Sequence, residues 1–153
     1  MEYTLDTIII YTMPAGTTHI VHPSQLGLEQ GMDVIIERSV PKEATSYRIA
    51  HRDDLPKDRE FRDAWTDKFD TPTVDIDLDK AKIIHLDRLR AERDDKLKEL
   101  DVEVIKALGQ KDDKQLQILE NEKEMLRTIP ERFQTIDIQT VDQLKSIKLD
   151  NLL

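Results

Sequence analysis

Asp79-Lys-Ala-Lys-Ile-Ile-His-Leu-Asp-Arg-Leu-Arg-Ala-Glu-Arg-Asp-Asp-Lys-Leu-Lys-Glu-Leu-Asp-Val-Glu-Val-Ile-Lys-Ala-Leu108 is the stretch that decides the fold. It contains no Pro, Gly or Asn. Leu86, Leu89, Leu97, Leu100, Val104 and Leu108 recur at the three- and four-residue spacing of one helical stripe. At 1.5 Å per residue the helix is roughly 45 Å long. Asp79 is its expected N-cap, and Gly109 its expected left-handed C-cap. A second amphipathic segment follows, carrying Leu116, Leu119, Met125, Leu126 and Ile129, with Asp112 or Asp113 as its cap and Pro130 as its limit. A link this short favours an antiparallel hairpin, closed within one chain or swapped with a copy. The second helix is shorter, so the N-terminal turns near Ile83, Ile84 and Leu86 need cover from elsewhere.

Upstream, Thr7 to Thr12 and Thr17 to His22 are β-rich and flank Met13-Pro14-Ala15-Gly16, which suits a type I turn. Met32 to Ser39 reads as a short helix and Ser46 to Ala50 as a third strand. The fold class is therefore α+β. A small ββαβ unit (1–50) and an acidic aromatic linker (51–78) precede the helical hairpin (79–130). A tail (131–153) follows, with Phe133, Ile136 and Ile138 on an extended piece and a last helix over Val141 to Leu149. Thr140-Val-Asp-Gln143 matches a capping box for that helix. Within the linker, Phe61, Trp65 and Phe69 lie four apart, which sets three rings on one face of a helix over about 58–67. That face either docks on a partner or packs against the N-terminal sheet.

Composition narrows the function. Charged residues make up 36% of the 153 and hydrophobic residues 38%, which leaves a thin core and favours an elongated or partner-supported architecture. The net charge of −9 argues against binding nucleic acid or an anionic membrane. With no cysteine there is no disulfide, thiolate metal site or Cys nucleophile. The longest apolar run, Ile8 to Tyr11, is far short of a bilayer span, and no secretory signal is evident, so cytosolic synthesis is expected.

Catalytic motifs are absent from the pattern. Asp75-x-Asp77-x-Asp79 opens like a calcium loop, but Lys80 and Leu86 occupy its sixth and twelfth positions, so no metal site is assigned. His19 and His22 alternate across a strand, and His85 has Leu89 four residues on, so neither forms a chelating pair; His85 reads as a surface hydrogen-bonding residue. The glycines make no phosphate loop and no cofactor is expected. Arg88, Arg90 and Arg93 form a basic cluster on the long helix, either paired with Asp87, Glu92 and Asp94 as a solvated face or clamping a partner's carboxylate.

Leu55-Pro56-x-Asp58-Arg59-x-Phe61-Arg62-x-Ala64-Trp65, with Ala81-Lys82-x-Ile84-His85-x-Asp87-Arg88-Leu89-Arg90-x-x-Arg93, resembles a group of small tailed-bacteriophage proteins from structural and tail gene modules. Leu126-Arg127-x-Ile129-Pro130 and Asp142-Gln143-Leu144-Lys145 fit the same pattern, which covers roughly residues 47–148. Thr66 follows the Trp where an acidic residue is common, and a terminal Trp-Pro pair is missing. The resemblance implies a non-enzymatic virion or tail component docking on a larger phage structural protein, located in the virion, or in the host cytoplasm during assembly. A tail-fibre assembly chaperone is the alternative, a small hydrolase a distant one, and self-association stays open. The expected partner-binding residues are Phe61, Trp65, Phe69, Ile83, Ile84, Arg88, Arg90 and Arg93.

Overall fold

The computed structural model describes residues 2–153. It is mixed α+β and divides into two compact units, one through Ala81 and one from Lys82 to Leu153. The first unit is built on β1 (Thr7–Thr12). Its consecutive Ile8, Ile9 and Ile10 are all fully buried, as a strand covered on both faces requires. β2 (Thr18–Val21) and β3 (Ser46–His51) pair antiparallel on either side of it, in the order β2-β1-β3. The β1–β2 turn closes as expected, with the Gly16 amide donating to the Met13 carbonyl at 2.8 Å and Gly16 at φ 85°.

Between β2 and β3 lie two helices, not one. α1 (Gln25–Gln30) was missed because Gly27 and Gly31 dilute its pattern; the Ser24 hydroxyl caps it by accepting from the Gly27 amide. α2 (Met32–Ser39) has the expected bounds. Ile9 packs on this side with Met32 and Ile35, flanked by Leu28, Ile36 and Val21.

Ile8 and Ile10 face the other way, onto Trp65 and Val74. Residues 52–77 therefore belong to the first unit and supply its second covering layer, where the sequence suggested a linker. The helix expected over 58–67 does not form. A 3-10 turn (Arg62–Ala64) leads into β4 (Trp65–Thr66), which pairs antiparallel with β5 (Asp75–Ile76). Backbone bonds fasten the layer down, from the Val74 amide to the Asp54 carbonyl (2.8 Å) and from the Asp77 amide to the Ala64 carbonyl (2.7 Å). Arg48 of β3 grips the intervening loop. Its Nε and Nη2 donate to the two Asp67 carboxylate oxygens at 2.8 and 3.1 Å, and Nη2 also reaches the Pro72 carbonyl at 2.8 Å. The Asp67 side chain is fully buried.

α3 (Leu78–Gly109) is the long helix. Its N-cap is Asp77 rather than Asp79, since the Asp77 carboxylate accepts from the Lys80 amide at 3.2 Å. In the second unit α3 is followed by α4 (Asp113–Arg127), capped by Asp112. The link is a Schellman turn. The Asp112 amide bonds the Ala107 carbonyl and the Lys111 amide the Leu108 carbonyl. Lys111, at φ 55°, takes the left-handed position, whereas Gly109 stays helical. The seam of α3 runs through Leu97, Leu100, Val104 and Ala107, and that of α4 through Leu116, Leu119, Lys123 and Leu126, alternating three and four apart as in a coiled coil. Leu108, assigned to the stripe above, is 58% exposed, because a 3.5-residue period moves the seam onto Ala107. Lys123, within its seam, bonds Asp101 of α3 at 2.7 Å, consistent with the antiparallel hairpin.

The chain then turns into α5 (Ile129–Gln134), which places buried Phe133 on a helix, not on an extended piece. α6 is Val141–Ser146, opened by the expected Thr140–Gln143 capping box; it ends earlier than expected, where Ile147 and Lys148 turn extended ahead of a 3-10 turn over Leu149–Leu152.

Arg48→Ala would leave the Asp67 carboxylate buried without its partner. Urea denaturation should show the first unit destabilised by about 3 kcal/mol. Lys111→Gly should stabilise the hairpin by about 0.5–1 kcal/mol by relieving a left-handed non-glycine residue, read as a raised denaturation midpoint.

Candidate functional site

Within the first unit, the three aromatic candidates do not share an exposed face. Phe61 is 1% exposed and Trp65 3%, so both rings are internal. For Trp65, packing against the N-terminal sheet, the second option above, is the one realised. Phe69 is 40% exposed, sits at φ 62°, and has the Arg48 guanidinium 5.9 Å from its ring centroid. The 3-10 turn and the strand break the four-residue spacing that would have aligned the three rings.

On α3, Ile83 is 62% exposed and Ile84 half-buried. Arg90 pairs with Asp87 at 3.1 Å, and Arg93 donates through Nε and Nη2 to Asp94 at 3.0 and 2.9 Å, the solvated-face arrangement for these two. Arg88 is exposed. His85 is buried, not at the surface. Its Nε2 donates to the Ile147 carbonyl at 2.8 Å and its ring lies 6.2 Å from that of Phe133, so it ties α3 to the chain after α6. Outside the seam, Val102, Ile105 and Leu108 of α3 and Ile118 of α4 are each more than half exposed.

A cleft in the first unit was not anticipated. It is an open cleft of about 660 Å³, with His22 and the exposed Arg52, Lys57, Arg59 and Arg62 around it and Trp65 in its wall. Asp53 is the lone acid lining it. Burial first, and then the positive charges of Arg52, Arg59 and Arg62, push the His22 imidazole below its ordinary pKa. In sequence these cations alternate with Asp53, Asp54, Asp58, Glu60 and Asp63, so the stretch reads as neutral or acidic. The fold sorts them. Asp54 turns to accept from the His51 amide and Asp58 from the Glu60 amide. No linear spacing rule would have revealed this grouping.

Among the described residues no three His, Asp or Glu side chains gather as a metal site, and no helix is long and apolar enough to cross a membrane. No protein-family model matches the chain, and neither a curated protein nor a solved structure matches it.

Trp65→Ala separates internal from docking roles for the ring. Removing it should cost about 3–5 kcal/mol of first-unit stability. A chain of unchanged stability with impaired assembly would instead mark the ring as a contact residue.

Proposed function

We propose that this chain is a non-enzymatic component of a bacteriophage virion or tail, which docks on a larger structural protein. The observation that carries the reading is the row Val102, Ile105 and Leu108, three apart on α3 outside the seam and each left more than half exposed on a chain that is otherwise highly charged. A contiguous exposed apolar row on a helix is the usual chemistry of helix-mediated docking. Ile83, near the other end of α3, adds a further exposed contact. The motif resemblance over 47–148 supplies the phage context. In this reading the contact is made by the hairpin part of the expected docking surface, extended along α3, and not by the buried rings of Phe61 and Trp65.

Mass spectrometry of purified particles tests the assignment. A virion component is present in stoichiometric amount, whereas co-purification from lysate without incorporation identifies an assembly chaperone instead. Ile105→Asp should leave folding within about 0.5 kcal/mol of wild type, as exposed substitutions do, yet lower incorporation severalfold. Normal incorporation of a stably folded Ile105→Asp chain would remove this face from the interface.

A further inference from the structure

The cationic cleft lies within the first unit and is independent of the proposed docking function. The chain carries 32 acidic and 23 basic side chains, so a random surface cavity would hold more carboxylates than cations. This one has four permanent cations to one acid. Their positive charge is not spent internally. Arg59, Arg62 and Lys57 have no carboxylate partner among the described residues, and Arg52 makes one 3.3 Å bond, to the Leu5 carbonyl. Gathering like charges costs free energy that an anion would recover. Trp65 also lines the cleft with a ring that is almost wholly buried. The indole Nε1 of Trp65 is buried and has no acceptor among the described residues, although buried Trp N–H groups ordinarily find one. Leu55 and Pro56 add apolar surface beside it. The volume falls in the range of small-molecule sites.

We propose that this cleft binds a small phosphorylated molecule, with Arg52, Arg59 and Arg62 on the phosphoryl oxygens and Trp65, Leu55 and Pro56 against its organic part. Planar guanidinium forks match phosphoryl oxygens in pairs, and three of them exceed what a single carboxylate can use. Lys57 contributes a point charge at the rim, and His22 gains a neighbouring anion when the site fills.

Calorimetry with inorganic pyrophosphate as probe tests the phosphoryl subsite, with citrate and sulfate at matched ionic strength as the other arms. Saturable one-to-one binding of pyrophosphate, with citrate and sulfate weaker, is expected. The double variant Arg59→Gln/Arg62→Gln should weaken it about ten- to a hundredfold, the range for lost charged hydrogen bonds, while Arg127→Gln on α4 leaves it unchanged. Arg62→Lys keeps the charge without the fork and should fall between, which preserves a readout if the double variant misfolds. The His22 ring resonances should titrate at higher pH with pyrophosphate than without it. The proposal is overturned by citrate binding as tightly as pyrophosphate, by equal losses in Arg127→Gln and the cleft variants, or by an unmoved His22. Absence of saturation up to millimolar pyrophosphate would overturn it as well.

Discussion

Three consecutive isoleucines in β1 set the terms for the first unit. Side chains alternate across a strand, so Ile8 and Ile10 point one way and Ile9 the other, and all three are removed from water. A sheet of three strands cannot hide both its faces. Something must cover each. The helices α1 and α2 serve Ile9, and the irregular layer from Leu55 to Ile76 serves Ile8 and Ile10. The ion pair of Arg48 with Asp67 and the β4–β5 ladder hold a layer with little regular structure of its own against that demand.

This constraint explains what could be read from residues alone. β1, α2, β3 and the long helix were legible because period and propensity agree in them. The covering layer was not. Its aromatic spacing of four fits a helix, but Trp65 is worth more packed on Ile8 and Ile10 than aligned with its sequence neighbours, so tertiary burial overrode the local signal. The clue was present in Ile8-Ile9-Ile10-Tyr11. An unbroken apolar run marks a strand buried on two sides, and that demands a second layer which only the stretch after β3 could provide. The cationic cleft was illegible for a different reason. Its members alternate with acids along the chain and become a cluster only once backbone caps draw Asp54 and Asp58 aside.

In the second unit the governing term is periodicity. The switch from a 3.6- to a 3.5-residue repeat puts Ala107 in the seam and frees Leu108, next to the Schellman turn where the chain reverses. Leu108, thereby left outside, joins Val102 and Ile105 in an exposed apolar row on α3. His85, reaching the Ile147 carbonyl from the same helix, fixes the C-terminal segment through a polar bond in an apolar setting, where its directionality matters more than its strength.

The two-sided burial of β1 also has a kinetic side. Helix pairing in α3 and α4 needs only a short loop to close, whereas β1 must wait for β3 and then for Trp65, ~55 residues further along the chain, before both faces are dry. At about 5–20 residues per second of synthesis that interval lasts several seconds. Thr7-Ile-Ile-Ile-Tyr-Thr12 is meanwhile a six-residue segment of high β-propensity with no charge and no proline, the composition most prone to pair with another copy of itself. The strand that organises the finished unit is thus its chief hazard while the chain is being made.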